Sequence, residues 1–171
     1  MKNTINKLGV DIGGVIIGRG SDEEDTSFFG SNYLLTEAIP DVFESIKKLK
    51  DADFDIYLVS KCGSSTEKKS RDWLAHRNFY AYTGVNEAKV RFCKKRADKA
   101  TICDELGITH FIDDRLEVLS YLKGVQHLYL FNPDEAEMHN FESFLSRVTK
   151  VSAWHELISL LIPQSSGCAS Q

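Results

Sequence analysis

Five polar residues stand at the ends of apolar runs or at the start of a helical segment, and they have the side chains that phosphoryl transfer requires. Asp11 and Ser60 end two apolar runs, Lys99 opens a helical segment, and Asp113 and Asp114 follow a third apolar run. A carboxylate can attack phosphorus and form an aspartyl phosphate, which divides one difficult step into two. Because the attacking carboxylate and the phosphoryl group are both anionic, a cation must lie between them. Mg²⁺ prefers one or two carboxylates together with water and substrate oxygens.

These properties assign a chemical role to each position. We expect Asp11 to be the nucleophile, and Asp11 and Asp113 to supply the carboxylates of a Mg²⁺ site. Ser60 and Lys99 are suited to holding the phosphoryl oxygens and neutralising their charge. The glycines at 13 and 14 allow the chain to turn sharply beside a ligand.

The elements that position these residues follow from the hydrophobic pattern. Apolar runs alternate with helical patterns, which predicts βαβ units and a mostly parallel sheet. The predicted strands are Lys7–Ile12, Asp55–Ser60, Val90–Cys93, Ile108–Ile112 and His127–Phe131. The predicted helices are Pro40–Lys50, Ser64–Arg77, Lys99–Leu106, Leu116–Leu122, Asp134–Val148 and Ala153–Ile162. We therefore predict a doubly wound, Rossmann-like α/β fold with three α/β/α layers, in which the strand ends share one ligand-binding crevice.

The order of these features resembles the four motifs of the haloacid dehalogenase (HAD) superfamily. The first motif is matched by the segment from Val10 to Val15, the second by the strand that ends at Ser60, the third by Lys99, and the fourth by the segment from Phe111 to Asp114. The resemblance extends from about Lys7 to Phe131. The order disfavours a receiver domain, which would have its acidic pair at the first strand and its lysine last.

The resemblance implies a Mg²⁺-dependent phosphatase that acts through an aspartyl phosphate. It adds the backbone carbonyl of Gly13 to the metal ligands and places Asp114 in or next to the coordination sphere. It also favours Lys99 over Lys94 and Lys95 as the phosphate-binding lysine, because the corresponding lysine in the family usually opens the helix that leads to the second acidic strand. Any of the three lysines could instead be a solvated surface charge.

Gly13 departs from the pattern of the family's phosphatases. Most of them have a second aspartate at this position, which protonates the leaving group and later activates the attacking water. Loss of such a group typically costs a factor of about 10²–10⁴ in rate. Three interpretations remain: a weak or narrow phosphatase, a different reaction on the same scaffold, or an inactive HAD-like regulatory module that binds phosphate or metal. We take the phosphatase as the first expectation and the regulatory module as its alternative.

The spacing of the motifs leaves no room for an inserted cap domain. About forty residues separate Gly14 from Phe54, and fewer than thirty separate Lys61 from Val90, whereas an independent domain typically needs about 50 or more. An uncapped site would be open or covered by a partner subunit, as in a homo-oligomer. An open site suits bulky phosphorylated substrates such as a nucleotide, a nucleic-acid end or a phosphoprotein.

Two charged segments flank the motifs. The segment Lys89–Lys99 has six basic residues and one acid. It is either a solvated surface, which we slightly favour, or a rim that attracts a polyanionic substrate. The acidic run from Asp22 to Asp25 is expected to be solvated.

Composition limits the remaining possibilities. The chain has 171 residues, and we expect one domain over residues 1–162 and a disordered tail over residues 163–171. A net charge of −4 predicts no stable nucleic-acid complex and no attraction to an anionic membrane. No apolar stretch is long enough to span a bilayer. The cysteines form no CxxC pair, which favours reduced thiols in the cytoplasm, and Cys168 near the end of the chain is expected to be unmodified.

Overall fold

Six parallel strands form one sheet in a computed structural model that describes residues 4–21 and 26–164. The strands are β1 Lys7–Val10, β2 Asp55–Lys61, β3 Val90–Cys93, β4 His110–Asp113, β5 His127–Phe131 and β6 Thr149–Val151. Their order is β3-β2-β1-β4-β5-β6, and all five neighbouring pairs are parallel. The chain starts in the middle of the sheet, extends to one edge and then crosses to the other. This topology confirms the predicted doubly wound fold and places β1 between β2 and β4.

Seven α-helices cover the two faces of this sheet in the described part of the chain. They are α1 Val42–Asp51, α2 Ser64–His76, α3 Phe79–Thr83, α4 Asp98–Leu106, α5 Leu116–Tyr121, α6 Glu135–Met138 and α7 Trp154–Leu161. Helices α1, α2, α3 and α7 contribute buried residues to one core cluster, and α4, α5 and α6 contribute to a second. Alternate strand residues separate the two cores, since Ile112 belongs to the first cluster and Phe111 to the second. None of the described helices combines the length and apolarity that a membrane span would require.

Most predicted boundaries lie within two residues of the observed ones, and the two central strands differ in an informative way. β1 ends at Val10 rather than Ile12, because the Ile12 carbonyl accepts hydrogen bonds from the amides of Ile16 (2.9 Å) and Ile17 (3.0 Å) in a tight turn. β4 begins at His110 rather than Ile108 and includes Asp113. As a result, Asp11 follows its strand directly and Asp113 is the last residue of the neighbouring strand.

The prediction of one helix over Asp134–Val148 is wrong. Helix α6 ends at Met138, and the chain continues as a 3-10 segment, His139–Arg147, with a break at Phe141 (φ −128°, ψ 19°). Three apolar residues of this segment, Phe141, Phe144 and Leu145, pack against the second core cluster. Their spacing resembles that of an α-helix, so the pattern could not show the break. The three-residue strand β6 follows and pairs with the edge of β5, where Tyr129 is in register with Thr149.

The two longest connections beside β2 contain no inserted domain within the described residues. Between β1 and β2 the described chain contains a 3-10 turn at Tyr33–Leu35 and helix α1, and between β2 and β3 it contains α2, α3 and a 3-10 turn at Glu87–Lys89. This arrangement agrees with the predicted absence of a cap. The predicted acidic surface at Asp22–Asp25 and most of the predicted tail, including Cys168, lie outside the described residues.

The edge of the sheet opposite the aspartates contains a buried histidine. His110 is 9% exposed, and its ring stacks on that of His127 with centroids 4.4 Å apart and contacts the edge of Phe54 at 5.7 Å. Burial, together with the charge of His127, lowers the pKa of His110 from 6.5 to about 4. Above pH 6.5 the ring is neutral in both the folded and the unfolded chain. As the pH falls from 6.5 to 4 only the unfolded chain gains this proton, so the contribution of His110 increasingly destabilises the fold.

We expect the variant His110→Gln to remove this acid sensitivity. Relative to the variant, the wild type should lose about 2 kcal/mol of unfolding free energy between pH 7 and pH 4. Urea unfolding at several pH values measures this difference. The contributions of titrating groups remote from position 110 cancel between the two proteins, and any change at His127, which stacks on His110, is part of the measured effect. The exposed ring of His139 provides the control through His139→Gln. A pH-independent difference between wild type and His110→Gln would contradict the prediction.

Candidate active site

Three strand ends bring the predicted residues to one edge of the sheet. The amide of Asp11 donates to the carbonyl of Ile112 (3.0 Å), so Asp11 and Asp113 lie side by side on neighbouring strands. Ser60 is the penultimate residue of β2, on the other side of β1. All three side chains are buried and line one cavity. The crevice expected from the topology therefore contains these residues.

The connection between β1 and β2, which begins with the turn after Asp11, is held in place by tryptophans from two helices. The indole of Trp154 in α7 donates to the carbonyl of Val15 (2.9 Å), and the indole of Trp73 in α2 donates to the carbonyl of Thr36 (2.8 Å). Both indoles are fully buried. Because each bond satisfies a buried backbone carbonyl of the β1–β2 connection, this connection is fixed against the core on which Asp11 sits.

Lys99 connects the two aspartates. Its ammonium donates to Oδ1 of Asp11 (3.0 Å) and to Oδ2 of Asp113 (2.8 Å), and the residue is only 2% exposed. It lies in the first turn of α4. The two competing lysines are exposed: Lys94 contacts the hydroxyl of Ser64 (3.3 Å), and neither Lys94 nor Lys95 lines the cavity. Of the three candidates, Lys99 is therefore the one that reaches the aspartates.

The charges of this cluster are only partly balanced. Burial raises the pKa of Asp11 to about 6, and the neighbouring charge of Asp113 adds to the effect. Burial likewise raises the pKa of Asp113 to about 6, with a contribution from Asp114, and that of Asp114 to about 6, with a contribution from Asp11. Burial opposes the charge of Lys99, but the carboxylates of Asp11 and Asp113 outweigh it and raise the pKa of the ammonium. Lys99 is thus charged and does not by itself compensate the three acids.

The donor set fits a divalent cation. Asp11, Asp113 and Asp114 each offer a carboxylate oxygen, and these atoms lie within 4.8 Å of one another. Asp114 also pairs with the exposed guanidinium of Arg19 (3.5 Å). Three carboxylates against two cations, Lys99 and Arg19, still leave an excess of negative charge in a buried place, where unpaired charge is costly. Hard oxygen ligands are those that Mg²⁺ prefers. The residues present are therefore chemically suited to hold this ion.

The two glycines after Asp11 differ in what they require. Gly14 has a left-handed backbone (φ +79°), and a Cβ there would lie 2.3 Å from Oδ2 of Asp114, so only glycine fits. Gly13 has no positive φ, and a Cβ built on it meets no atom within 4 Å. Local space and backbone geometry therefore do not require glycine at position 13. They also do not explain why an acid is missing there.

The cavity has a volume of about 600 Å³ and a cationic outer wall. The wall includes the exposed side chains of Arg19, Lys61 and Arg115, and the half-buried Arg96, which pairs with Glu117 (2.7 Å). Of the basic segment Lys89–Lys99, only Arg96 and Lys99 line the cavity. Within the described residues, that segment is mostly surface, and the cations beside the cavity come mainly from elsewhere.

Sequence reasoning missed the outer wall for a physical reason. Lys61 directly follows Ser60, and Arg115 follows Asp114. These positions next to predicted strand ends could have indicated that both residues lie at the site. Arg19 and the exposed ring of Phe29 lie in the irregular connection after β1, where no periodicity indicates which side chains face the site.

Comparison with known proteins identifies the fold. No protein-family model matches the sequence, and no curated protein matches it by sequence similarity.

Several solved structures match the fold of this chain. The D,D-heptose 1,7-bisphosphate phosphatase of B. bronchiseptica, solved with magnesium and phosphate, has a TM-score of 0.67 at 15% identity, over 94% of this chain and 99% of its own. The corresponding phosphatase of Burkholderia thailandensis has a TM-score of 0.62 at 13% identity, over 93% and 99%. A HAD family hydrolase from Deinococcus radiodurans, solved with phosphate and sodium, has a TM-score of 0.63 at 13% identity, over 92% and 95%.

Proposed function

We propose that this chain, which has the fold of the HAD-type hydrolases, is a Mg²⁺-dependent phosphatase. The observation that carries the proposal is the buried cluster in which Lys99 joins Asp11 to Asp113 beside Asp114, at the strand ends where ligands bind in such sheets. The neighbouring structures support the phosphatase class. Their low sequence identity means that the activity of this chain is inferred from its own site.

Asp11 is the proposed nucleophile. One of its carboxylate oxygens forms a bond to phosphorus while the bond from phosphorus to the leaving oxygen breaks, and the electron pair leaves with that oxygen. Water then attacks the phosphorus of the aspartyl phosphate, the bond to Asp11 breaks, and the carboxylate is restored with release of phosphate. Lys99 holds Asp11 through Oδ1 (3.0 Å). In this proposal the hydroxyl of Ser60 donates to a phosphoryl oxygen, and the ammonium of Lys99 offsets the phosphoryl charge.

The proposed metal ligands are the carboxylates of Asp11, Asp113 and Asp114 and the backbone carbonyl of Gly13. When bound, Mg²⁺ would supply positive charge between the anionic carboxylate and the anionic phosphoryl group. Arg115 contributes to the placement of this set, because its amide donates to Oδ1 of Asp113 (3.0 Å).

The outer wall suggests how substrates are recognised. Arg19, Lys61 and Arg115 are exposed cations beside the carboxylate cluster, and they favour an anionic ligand. Helix α2 begins at the cavity, and its N-cap residue, Gly63, has no side chain that could cap the first turn, so the amides of this turn can bind a phosphate oxygen. Together with the absence of a cap within the described residues, these features support a bulky phosphorylated substrate such as a nucleotide, a nucleic-acid end or a phosphoprotein.

Gly13 supports a second candidate, a regulatory module that binds phosphate or metal without turnover. Among the described residues that line the cavity, the acids are the three aspartates of the cluster, and no histidine or tyrosine accompanies them. A protein that binds Mg²⁺ and phosphate but hydrolyses no ester would fit this candidate instead.

Hydrolysis of an aryl phosphate with and without Mg²⁺ tests the proposal. We expect turnover that requires Mg²⁺, and we expect Asp113→Asn to weaken Mg²⁺ binding at least about tenfold, since it removes one charged ligand. Calorimetric titration with Mg²⁺ measures the affinity. The matched control is Asp51→Asn, at the exposed end of α1, which should bind Mg²⁺ like the wild type. Unchanged affinity in Asp113→Asn would refute the metal site, and Mg²⁺ binding without turnover would favour the regulatory module.

A further inference from the structure

An exposed aromatic ring forms part of the cavity wall. Phe29 is 76% exposed and lines the same cavity as Asp11 and Lys99. The other large exposed apolar residues in the described chain are Ile5, Leu35, Tyr82, Tyr121 and Leu160, and none of them lines this cavity. A single exposed apolar residue is ordinary on a protein surface. Phe29 differs from the others in its place, because it lies in the wall of the cavity that contains the carboxylate cluster, where the apolar part of a ligand would cover it.

The backbone that carries this ring is fixed from several sides. The ammonium of Lys69 donates to the carbonyls of Phe29 (2.9 Å) and Gly30 (3.1 Å). The ring contacts the buried ring of Phe28 edge to face at 6.1 Å, and Phe28 in turn packs against Tyr33 at 6.3 Å. Phe29 is therefore held in place without being covered, so an aromatic ligand would not have to order this segment on binding.

The missing acid at Gly13 points independently to the chemistry of the leaving group. Without a proton donor, the ester oxygen must leave as an anion, so its basicity controls the rate. A phenol has a pKa of about 10, whereas the pKa of an aliphatic hydroxyl is far higher, close to that of water. A phenolate therefore leaves without protonation much more readily than an alkoxide does. In a phenolic ester, the aromatic ring is attached directly to the oxygen that leaves.

We propose that the site acts on phosphate monoesters of phenols and that Phe29 determines this specificity by binding the aromatic ring of the leaving group. The inference rests on the proposed phosphatase function. As the bond from Asp11 to phosphorus forms, the bond from phosphorus to the phenolic oxygen breaks; the phenolate keeps the electron pair and takes its proton from water after release. Exposed cations at Arg19, Lys61 and Arg115 complement the phosphate, and the ring of Phe29 complements the phenyl group.

Phenyl phosphate and acetyl phosphate separate the two contributions, because neither leaving group needs a proton and only the first has a ring. In Phe29→Ala, the ratio of kcat/KM for phenyl phosphate to that for acetyl phosphate should fall about tenfold, and Phe29→Tyr should restore it. Leu35→Ala removes another exposed apolar side chain (59% exposed) outside the cavity and should leave both values unchanged. Calorimetry provides a measurement without turnover: the Mg²⁺-loaded wild type should bind phenylphosphonate about tenfold more tightly than methylphosphonate, and Phe29→Ala should lose this preference.

The outcomes distinguish the two levels of the proposal. Hydrolysis of both substrates with an unchanged ratio in Phe29→Ala would overturn the role of Phe29 while leaving the phosphatase function in place. No hydrolysis of either substrate by the wild type would overturn the phosphatase function, and the proposed substrate class with it.

Discussion

Replacement of Asp11 by asparagine should lower kcat for an aryl phosphate by at least about a thousandfold, because an amide cannot take the place of the carboxylate that forms the aspartyl phosphate. Asparagine has nearly the shape of aspartate, and its side-chain oxygen can still accept the hydrogen bond that Lys99 makes to Oδ1 (3.0 Å). It also removes one of three crowded, buried carboxylates. The melting temperature in the absence of Mg²⁺ should therefore not fall.

Steady-state kinetics and thermal unfolding measure the two effects in parallel. The variant Asp11→Ala should show the same loss of activity, which excludes slow deamidation of asparagine back to aspartate as a source of residual turnover. Ser60→Ala is the matched comparison, since Ser60 lines the same cavity and supplies one polar contact; it should cost about 10²-fold at most. If Asp11→Asn keeps more than a tenth of the wild-type rate, another group must be the nucleophile.

The second large effect is expected from restoring an acid at position 13. Gly13→Asp should raise kcat/KM for an alkyl ester such as ethyl phosphate by about 10²-fold, because the new carboxyl group can protonate the leaving alkoxide. The value for phenyl phosphate should change by less than about tenfold, since phenolate leaves without a proton. Position 13 accommodates a Cβ, because a Cβ on Gly13 meets no atom within 4 Å and the backbone has no positive φ.

Gly13→Asn is the matched control, with the same bulk and no acid. It should not accelerate ethyl phosphate hydrolysis, and only the Gly13→Asp variant should acquire a new basic limb in its pH–rate profile, because the carboxyl group can donate a proton only below its pKa. Gly14→Asp is the steric counterpart and should impair folding or activity, because its Cβ would lie 2.3 Å from Oδ2 of Asp114. Equal wild-type rates for ethyl and phenyl phosphate would contradict the premise and would mean that a different residue supplies the proton.

The sequence alone determined the fold class and indicated that Asp11 and Asp113 lie side by side. Period-two and helical patterns are local properties, so the first five strands and most helices could be located within a few residues. The strand-end positions of Asp11 and Asp113 then implied their convergence, because the carboxyl ends of parallel strands share one edge. The local pattern failed at Asp134–Val148, where the apolar spacing of a 3-10 segment resembles that of an α-helix and β6 is too short to have a period.

Only the tertiary structure decided the features that depend on burial and on contacts between distant segments. The resemblance favoured Lys99 over Lys94 and Lys95 without excluding them. The docking of α4 on the sheet buries Lys99 against residues 88 and 14 positions away and leaves the other two exposed. The irregular connection after β1 has no repeating pattern, so the sequence could not show that Arg19 and Phe29 line the cavity. For the same reason, the difference between Gly14, which must be glycine, and Gly13, which need not be, became visible only from the atoms packed around each of them.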